Sequence, residues 1–306
     1  MRFVVALVSV LAVGACAAQV ASWIPVWPLA LVEHFRVQMM VGGILIVVAC
    51  AALRSRYFDA AAIATLLHLV WLLPDLGASR RPLPARGRPV RVLLLNVLSS
   101  NTRFADVRKL IADSNADIVA LAEIQDNWLR ELAPALTSYP ARIEHPRTDN
   151  FGLALYSRVP LTGGVEYLGA FPSIVASLAE TDGALGVVLT HPMPPISGHY
   201  LDLLDEQLAA VAARARTLGP NAMILGDFNA TPWSRPFRRL LEASQFCDSR
   251  AGFGLQTSWV PEISRVMQIP IDHVLVSCGI GVRDRRIERD VGSDHLPVVV
   301  DLVLPR

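Results

Sequence analysis

The stretch Gly226-Asp227-Phe228-Asn229-Ala230-Thr231-Pro232-Trp233-Ser234 sets a carboxylate and a carboxamide two residues apart, directly after an apolar run at residues 222–225. The run reads as a buried strand broken at Gly226, and Thr231-Pro232 reads as the entry to a helix over residues 233–243. Acids and amides at the carboxyl end of a buried strand lie where α/β sheets collect their chemistry. Asp and Asn also form ordinary turns after strands, so this stretch alone decides nothing. Three further stretches repeat the pattern. Asn96 closes Leu93-Leu94-Leu95, Glu123 closes Ile118-Val119-Ala120-Leu121-Ala122, and Ser293-Asp294-His295 precedes the last apolar run. Asn96, Glu123, Asp227 and Asp294 are hard oxygen donors, which suit Mg2+, with Mn2+ as a substitute. No Cys/His cluster has zinc spacing. A divalent ion beside a phosphoryl group neutralises developing charge, which leaves the protein to aim a water in line.

The elements that must hold these residues alternate. Strands are expected at residues 90–97, 118–122, 151–156, 185–190, 223–225, 273–276 and 297–302. Helices are expected at 103–114, 128–136 and 201–218. Read together, Asn96, Glu123, Thr190-His191-Pro192, Gly226–Ser234, Ile271-Asp272-His273 and Ser293-Asp294-His295, in this order, resemble the endonuclease/exonuclease/phosphatase superfamily, the deoxyribonuclease-I-like fold. The resemblance covers about residues 90–304. It implies a four-layer α/β sandwich: two packed mixed sheets flanked by helices, with the site at one edge. It also implies roles. Glu123 is the principal metal ligand, with Asn96 and Asp294 beside it. Asp227 orients the attacking water, Asn229 holds a phosphoryl oxygen, and His295 is the acid/base, oriented by Asp272. His191 contacts phosphate or protonates the leaving group, and Glu144, Asp149 and Asn150 are candidates for its partner. His273 is expected to pack structurally beside Asp272.

The first part of the chain differs in kind. Residues 1–89 hold three acids (Glu33, Asp59, Asp75) against eight arginines, a net charge of +5, and the remainder is net −4. Residues 3–20, 37–53 and 58–74 are apolar runs of roughly the 17–20 residues a spanning helix needs. Trp23, Trp27, Tyr57 and Trp71 lie near their ends, as interfacial aromatics do. A cleaved signal peptide would explain the first run only, and a soluble bundle would demand polar faces that the runs lack. The expected organisation is a membrane domain of three transmembrane helices at 1–76, a Pro/Arg-rich linker at 77–89 and a catalytic domain at 90–306. That arrangement is similar to bacterial membrane-anchored members of the superfamily. A multi-pass protein of the inner membrane is expected; the short Arg2 leader, with Arg54 and Arg56, favours an extracytoplasmic catalytic domain, while Arg80, Arg81, Arg86 and Arg88 favour the opposite orientation. His68, within the third run, is expected to bond a neighbouring helix backbone.

Cys247 and Cys278 are expected as free thiols, since sequence cannot bring them within bonding distance. The catalytic half is net negative and has one lysine, Lys109, which disfavours nucleic acid as partner. Arg283, Arg285, Arg286 and Arg289 form the one candidate basic cluster, with a solvated turn as the alternative. The expected substrate is a phosphodiester or phosphomonoester, lipid-linked at the membrane surface. Trp233, Phe253, Trp259 and Val260 are candidates for an apolar rim near a headgroup. A membrane-anchored nuclease and a catalytically silent binding module are the rival functions. No protein partner is expected.

Overall fold

The computed structural model describes residues 2–21, 24, 26–77, 79–180 and 183–305. Twelve strands form two mixed six-stranded sheets. The first sheet contains β1 (Gly87–Asn96), β2 (Ile118–Ala122), β3 (Ala141–His145), β4 (Leu153–Ser157), β11 (Gly281–Ile287) and β12 (Val298–Pro305), in the order β11-β12-β1-β2-β4-β3. The second contains β5 (Leu161–Tyr167), β6 (Pro172–Glu180), β7 (Gly183–Thr190), β8 (Ala222–Asp227), β9 (Phe246–Asp248) and β10 (Asp272–Ser277), in the order β5-β6-β7-β8-β10-β9. Both sheets bury both faces, which is why their central strands read as continuous apolar runs. Val92 and Leu94 of β1 meet Met223 and Leu225 of β8 in the core between the sheets. Leu93 and Leu95 face the other way, against Val107 and Ile111 of α4 (Phe104–Ser114) and Trp128 of α5 (Asp126–Leu132). Val188 and Ile224 of the second sheet pack on Leu204 and Leu208 of α6 (Gly198–Ala215) and Phe237 of α7 (Arg235–Ser244). The layers are therefore helix, sheet, sheet, helix, as the resemblance implies.

Gly226 does not break its strand. β8 runs on through Asp227, and Gly226 is required because a Cβ there would lie 1.8 Å from the Thr190 carbonyl oxygen of β7. The helix expected at residue 233 starts later. Ser234 first closes a turn on the Thr231 carbonyl with its N–H (2.9 Å) and hydroxyl (2.7 Å), and α7 follows from Arg235. The helix expected over 128–136 splits into α5 and a 3₁₀ turn at Ala133–Ala135.

The N-terminal helices are α1 (Arg2–Ala21), α2 (Arg36–Ala52) and α3 (Phe58–Leu76), with a 3₁₀ segment Leu29–Phe35 leading into α2. Three spans are expected from the sequence; two segments, Leu29–Ala52 and Phe58–Leu76, are long and apolar enough to cross a membrane. The apolar stretch of α1 among the described residues, Ala6–Ala18, is shorter. The helices meet through small residues. Ala12, Cys50 and Ala61 share a cluster with Val8, and a Cβ at Gly43 would lie 2.4 Å from Thr65 Oγ1. His68 is buried, and neither ring nitrogen finds a hydrogen-bond partner among the described residues, contrary to the expected backbone bond. Trp23 lies outside the described residues. Trp71 stacks beneath the guanidinium groups of Arg36 (4.7 Å) and Arg238 (4.5 Å).

One end of this helical unit docks on the sandwich. Trp233 Nε1 donates to the His34 carbonyl (3.1 Å), Arg235 N–H to Glu33 Oε1 (3.2 Å) and Arg238 to the Trp71 carbonyl (3.1 Å). Gln38 Nε2 donates to the carbonyls of Val266 and Gln268, and buried Arg250 pairs with Asp75. The linker continues the seam: Arg80 lies over the Phe253 ring, 4.2 Å away, and Arg81 donates to the Cys278 carbonyl. Cys247 and Cys278 are disulfide-bonded, with Cα atoms 5.2 Å apart, in contrast to the free thiols expected. Strand β9 places Cys247 beside Val276 of β10, two residues before Cys278, a proximity invisible in sequence.

Candidate active site

Six strand ends converge at one edge of the sandwich. Asn96 ends β1, and Glu123 follows β2, which runs parallel to it with Asn96 opposite Ala122. His191 follows β7, Asp227 ends β8, and Asp272 starts β10 directly opposite Asp227. Asp294 and His295 lie just before β12. The eight residues singled out in the sequence therefore come to one place, from both sheets. Two of them hold left-handed backbone, Glu123 at φ 61° and Asn229 at φ 50°. Such conformations cost side-chain-bearing residues of order 1–3 kcal/mol and collect at functional sites.

Asp227 is the centre of the cluster. Its Oδ2 lies 3.4 Å from Nε2 of His191 and 3.4 Å from Nε2 of His295. The same oxygen accepts a hydrogen bond from Asn96 Nδ2 (3.0 Å), and Oδ1 accepts the Asn229 N–H (2.9 Å). Each imidazole is held from behind. His295 Nδ1 lies 2.8 Å from Asp272 Oδ2, and His191 Nδ1 lies 2.9 Å from the carbonyl of Asn150. A carbonyl only accepts, so His191 Nδ1 carries a proton, and its Nε2 meets the Asp227 carboxylate favourably only when protonated too. Burial opposes charge on His191 most strongly, but the hydrogen bond and charge of Asp227 and the charge of Glu123 together raise its pKa. Burial opposes charge on His295 as well, yet Asp272, Asp227 and Asp294 push its pKa up to about 10. Asp227 moves the opposite way. Burial would raise it, but the two imidazoles and the Asn229 N–H hold it well below the usual carboxylate range. Asp272 is raised, because burial there outweighs its bond to His295.

Glu123 Oε1 accepts from Asn96 Nδ2 and Oε2 from the Ser99 N–H, both at 3.0 Å. Asn96 is placed differently from a metal ligand. Its oxygen accepts the Leu98 N–H (3.0 Å), so its amide nitrogen faces the cluster and bridges two carboxylates. Asp294 Oδ2 accepts from Trp259 Nε1 (3.0 Å), and Asp294 Oδ1 is buried without a partner among the described residues. A buried carboxylate oxygen left without a donor is costly unless something positive completes it. Asp227, Asp272 and His295 have ligand atoms within 4.8 Å of one another. His295 Nδ1 and Asp272 Oδ2 are already engaged with each other at 2.8 Å, so the trio fits an acid/base pair better than an ion cage. Glu123 and Asp294, which line the same cavity, offer further hard oxygen donors of the kind a divalent cation takes.

Several partners had no signal in the sequence. Ser293 Oγ donates to the Asn96 carbonyl (2.7 Å) and accepts the His295 N–H (3.0 Å), tying the last loop to β1. The partner of His191 is the backbone of Asn150; Asp149 pairs with Arg147, and Glu144 accepts from Tyr156. His273 bonds the Ala230 carbonyl (2.8 Å) and packs on Phe228 and Phe237, the structural place expected for it. The arginine cluster is neither a basic stripe nor a turn. Arg283, Arg285 and Arg286 lie on β11, where Arg285 is buried and bonds the Asp272 carbonyl (3.0 Å) and Arg286 is paired with Asp284, Glu288 and Asp301, and Arg289 follows the strand and pairs with Asp113. Trp233 is buried in the seam; Trp259 lines the site.

The cluster forms the floor of a cavity of about 700 Å³. Glu123, His191, Asp227, Asn229, Asp294 and His295 face into it.

A family model described as Endonuclease/Exonuclease/phosphatase family matches residues 93–295. No curated protein matches the sequence. Solved structures share the fold at low identity. The endonuclease/exonuclease/phosphatase from Beutenbergia cavernae DSM 12333 is 19% identical over 71% of this chain and 72% of that chain, with a TM-score of 0.55. D. rerio TDP2, complexed with single strand DNA product, is 14% identical over 70% and 98%, with a TM-score of 0.58. ANGEL2, described as a 2′,3′-cyclic phosphatase and complexed with adenosine-2′,3′-vanadate, is 14% identical over 74% and 99%, with a TM-score of 0.59.

Proposed function

The chain belongs to the Endonuclease/Exonuclease/phosphatase family, whose members are metal-dependent hydrolases of phosphate esters, and from that membership we propose that it is a membrane-anchored, Mg2+-dependent phosphoesterase. The observation that carries this is Asp227, whose carboxylate is flanked by two imidazoles, each fixed on its far nitrogen. Glu123 and Asp294 would hold the cation, which when bound draws charge from a phosphoryl oxygen and from the leaving oxygen. Asp227 accepts a hydrogen bond from a water and aims it in line at phosphorus. His295, held protonated by Asp272 and Asp227, and His191 donate to the phosphoryl oxygens and to the departing alkoxide. The Asn229 side chain donates to the Pro192 carbonyl (3.0 Å), which sets its amide at the rim for a phosphoryl oxygen. Asn96 positions Glu123 and Asp227.

Residues 1–76 anchor this domain in the inner membrane, and 77–89 connect it. The support is the outward face of all three helices. Val10, Val13, Leu45, Val48, Leu66 and Leu73 are exposed there, an apolar surface that water does not favour. The docked end comprises Leu29–Phe35, the start of α2 and the end of α3, so Arg54 and Arg56 lie at the far end of α2, roughly 25 Å away by helix rise. Arg54 and Arg56 suit a cytoplasmic far end, Arg80, Arg81, Arg86 and Arg88 on the docked side weigh the other way, and the Cys247–Cys278 disulfide at that side favours the oxidising compartment.

The test offers the full chain in detergent bis-p-nitrophenyl phosphate, p-nitrophenyl phosphate and plasmid DNA, each with Mg2+, Mn2+ or chelator. Divalent-dependent hydrolysis of an ester that Asp227→Ala abolishes is the expected result. Plasmid nicking that falls steeply with salt would instead establish the nuclease. No divalent-dependent hydrolysis of any probe would overturn the proposal.

A further inference from the structure

The floor of the cavity is polar and its walls are mostly apolar, with His34, Asp149 and Asn150 the polar lining beyond the floor, and one wall comes from the N-terminal helices. Leu31, His34 and Phe35 of the 3₁₀ segment face the catalytic cluster across the cavity. Met193, Pro195 and Ile196, directly after His191, close one side, and Trp259, Ile269 and Ile271 close another. The 3₁₀ wall is fixed, since the His34 carbonyl and the Glu33 carboxylate are both bonded to the start of α7 and its preceding turn. Exposed apolar side chains from separate segments gather on the same side. Ile196 is 62% exposed, Ile263 89% and Val266 77%. Gln38 at the start of α2 holds the Val266 and Gln268 carbonyls, so this loop lies where the helix enters its apolar stretch. Trp27, also exposed, borders Gly198 at the start of α6, two residues after Ile196.

We propose that the helical unit completes the substrate site: the cavity takes the hydrocarbon tail of a membrane lipid phosphate ester along Leu31, Phe35, Met193 and Ile269, with its phosphate on Asp227, His191 and His295. This rests on the hydrolytic function proposed above and names its substrate class. A sugar or nucleoside portion in this space would leave most of its hydroxyl and amide groups facing Leu31, Phe35, Met193, Ile196 and Ile269, a costly arrangement. A hydrocarbon tail loses nothing there. An apolar path also leads it to the cavity, because exposed Val266 lies beside Gln38 at the α2 entry and exposed Ile196 lines the cavity itself.

The test uses the full chain in detergent micelles and two homologous series. One is methyl, octyl and hexadecyl p-nitrophenyl phosphate, read by nitrophenolate release; the other is the matching monoalkyl phosphates, read by phosphate release. Long tails concentrate in micelles for every variant alike, so the readout is the wild-type-to-variant ratio of kcat/KM at each tail length. For Leu31→Ser and Phe35→Ser that ratio is expected to grow on the order of tenfold from methyl to hexadecyl, the effect of losing one or two buried methylene contacts. Ile196→Ser, at an exposed position on the sandwich, repeats the test without touching the helical unit, should the first two fail to fold. A ratio independent of tail length, with the methyl ester still hydrolysed, would overturn the lipid substrate and leave the phosphoesterase standing. Hydrolysis of neither series with any divalent ion would overturn both.

Discussion

Leucine, valine and isoleucine point in opposite directions in the two parts of this chain. In the sandwich, Leu93, Val119, Val188 and Ile224 are fully buried between layers. In the helical unit, Val10, Leu45, Val48 and Leu66 face outward, while Ala12, Cys50 and Ala61 face inward. On the anchoring proposed above, the difference is that of two parts built for different solvents. One removes hydrocarbon from water; the other packs small residues together and would leave its outward hydrocarbon to lipid. The two meet at Leu29–Phe35 and the end of α3, where buried charges sit in pairs: Asp75 with Arg250, and Glu33 with Arg235. The candidate catalytic cavity opens at that meeting line, walled mostly by the sandwich and on one side by Leu31, His34 and Phe35.

The contrast can be broken or sharpened in three ways. Arg250→Ala leaves Asp75 buried without its partner at the seam. It is expected to cost about 3–5 kcal/mol, read as a lowered thermal transition of the full chain in micelles. No loss would mean the seam is incidental. Leu45→Arg is expected to cost about 2.5–3.5 kcal/mol of membrane insertion, against about 0.5 kcal/mol for an exposed residue in water. Normal insertion would show that the exposed apolar face is not a lipid face. Asp272→Asn acts within the sandwich alone and removes a charged hydrogen bond contributing roughly 1.5–3 kcal/mol. The folded His295 pKa is raised to about 10, so its contribution is full below the ordinary value near 6.5 and is lost as pH rises through 10. In metal-free protein the wild-type thermal transition is therefore expected to fall between these pH values, and Asp272→Asn to flatten the fall. An equally steep fall in the variant would place the raised proton elsewhere.

The catalytic cluster was legible because its members close apolar runs: Asn96, Glu123, Asp227 and His295 each sit where a buried strand starts or ends. The strands that escaped lack that contrast. β3 carries half-exposed Arg142 and Glu144 at a sheet edge, β5 holds Gly163-Gly164, and β11 is rich in charge yet buries Arg285. β6 is apolar enough to read, but Pro172 at its start masks it. The Cys247–Cys278 bond depends on β9, three residues long and without a periodic signal. The wall formed by Leu31, His34 and Phe35 lies some two hundred residues from the loops it faces, and no motif links them. Its one trace in the sequence is a knot of polar residues, Glu33-His34 and Arg36, between two apolar runs.

The most direct test of the convergence around Asp227 is a double-mutant cycle on the fastest-hydrolysed ester, using the full chain with saturating Mg2+. Asp227→Asn and His295→Gln are each expected to lower kcat by roughly 10³-fold, and the double variant by no more than about tenfold beyond either, because groups acting on one transition state fail together. Singles that retain kcat within about threefold, or penalties that multiply to about 10⁶, would contradict a shared site.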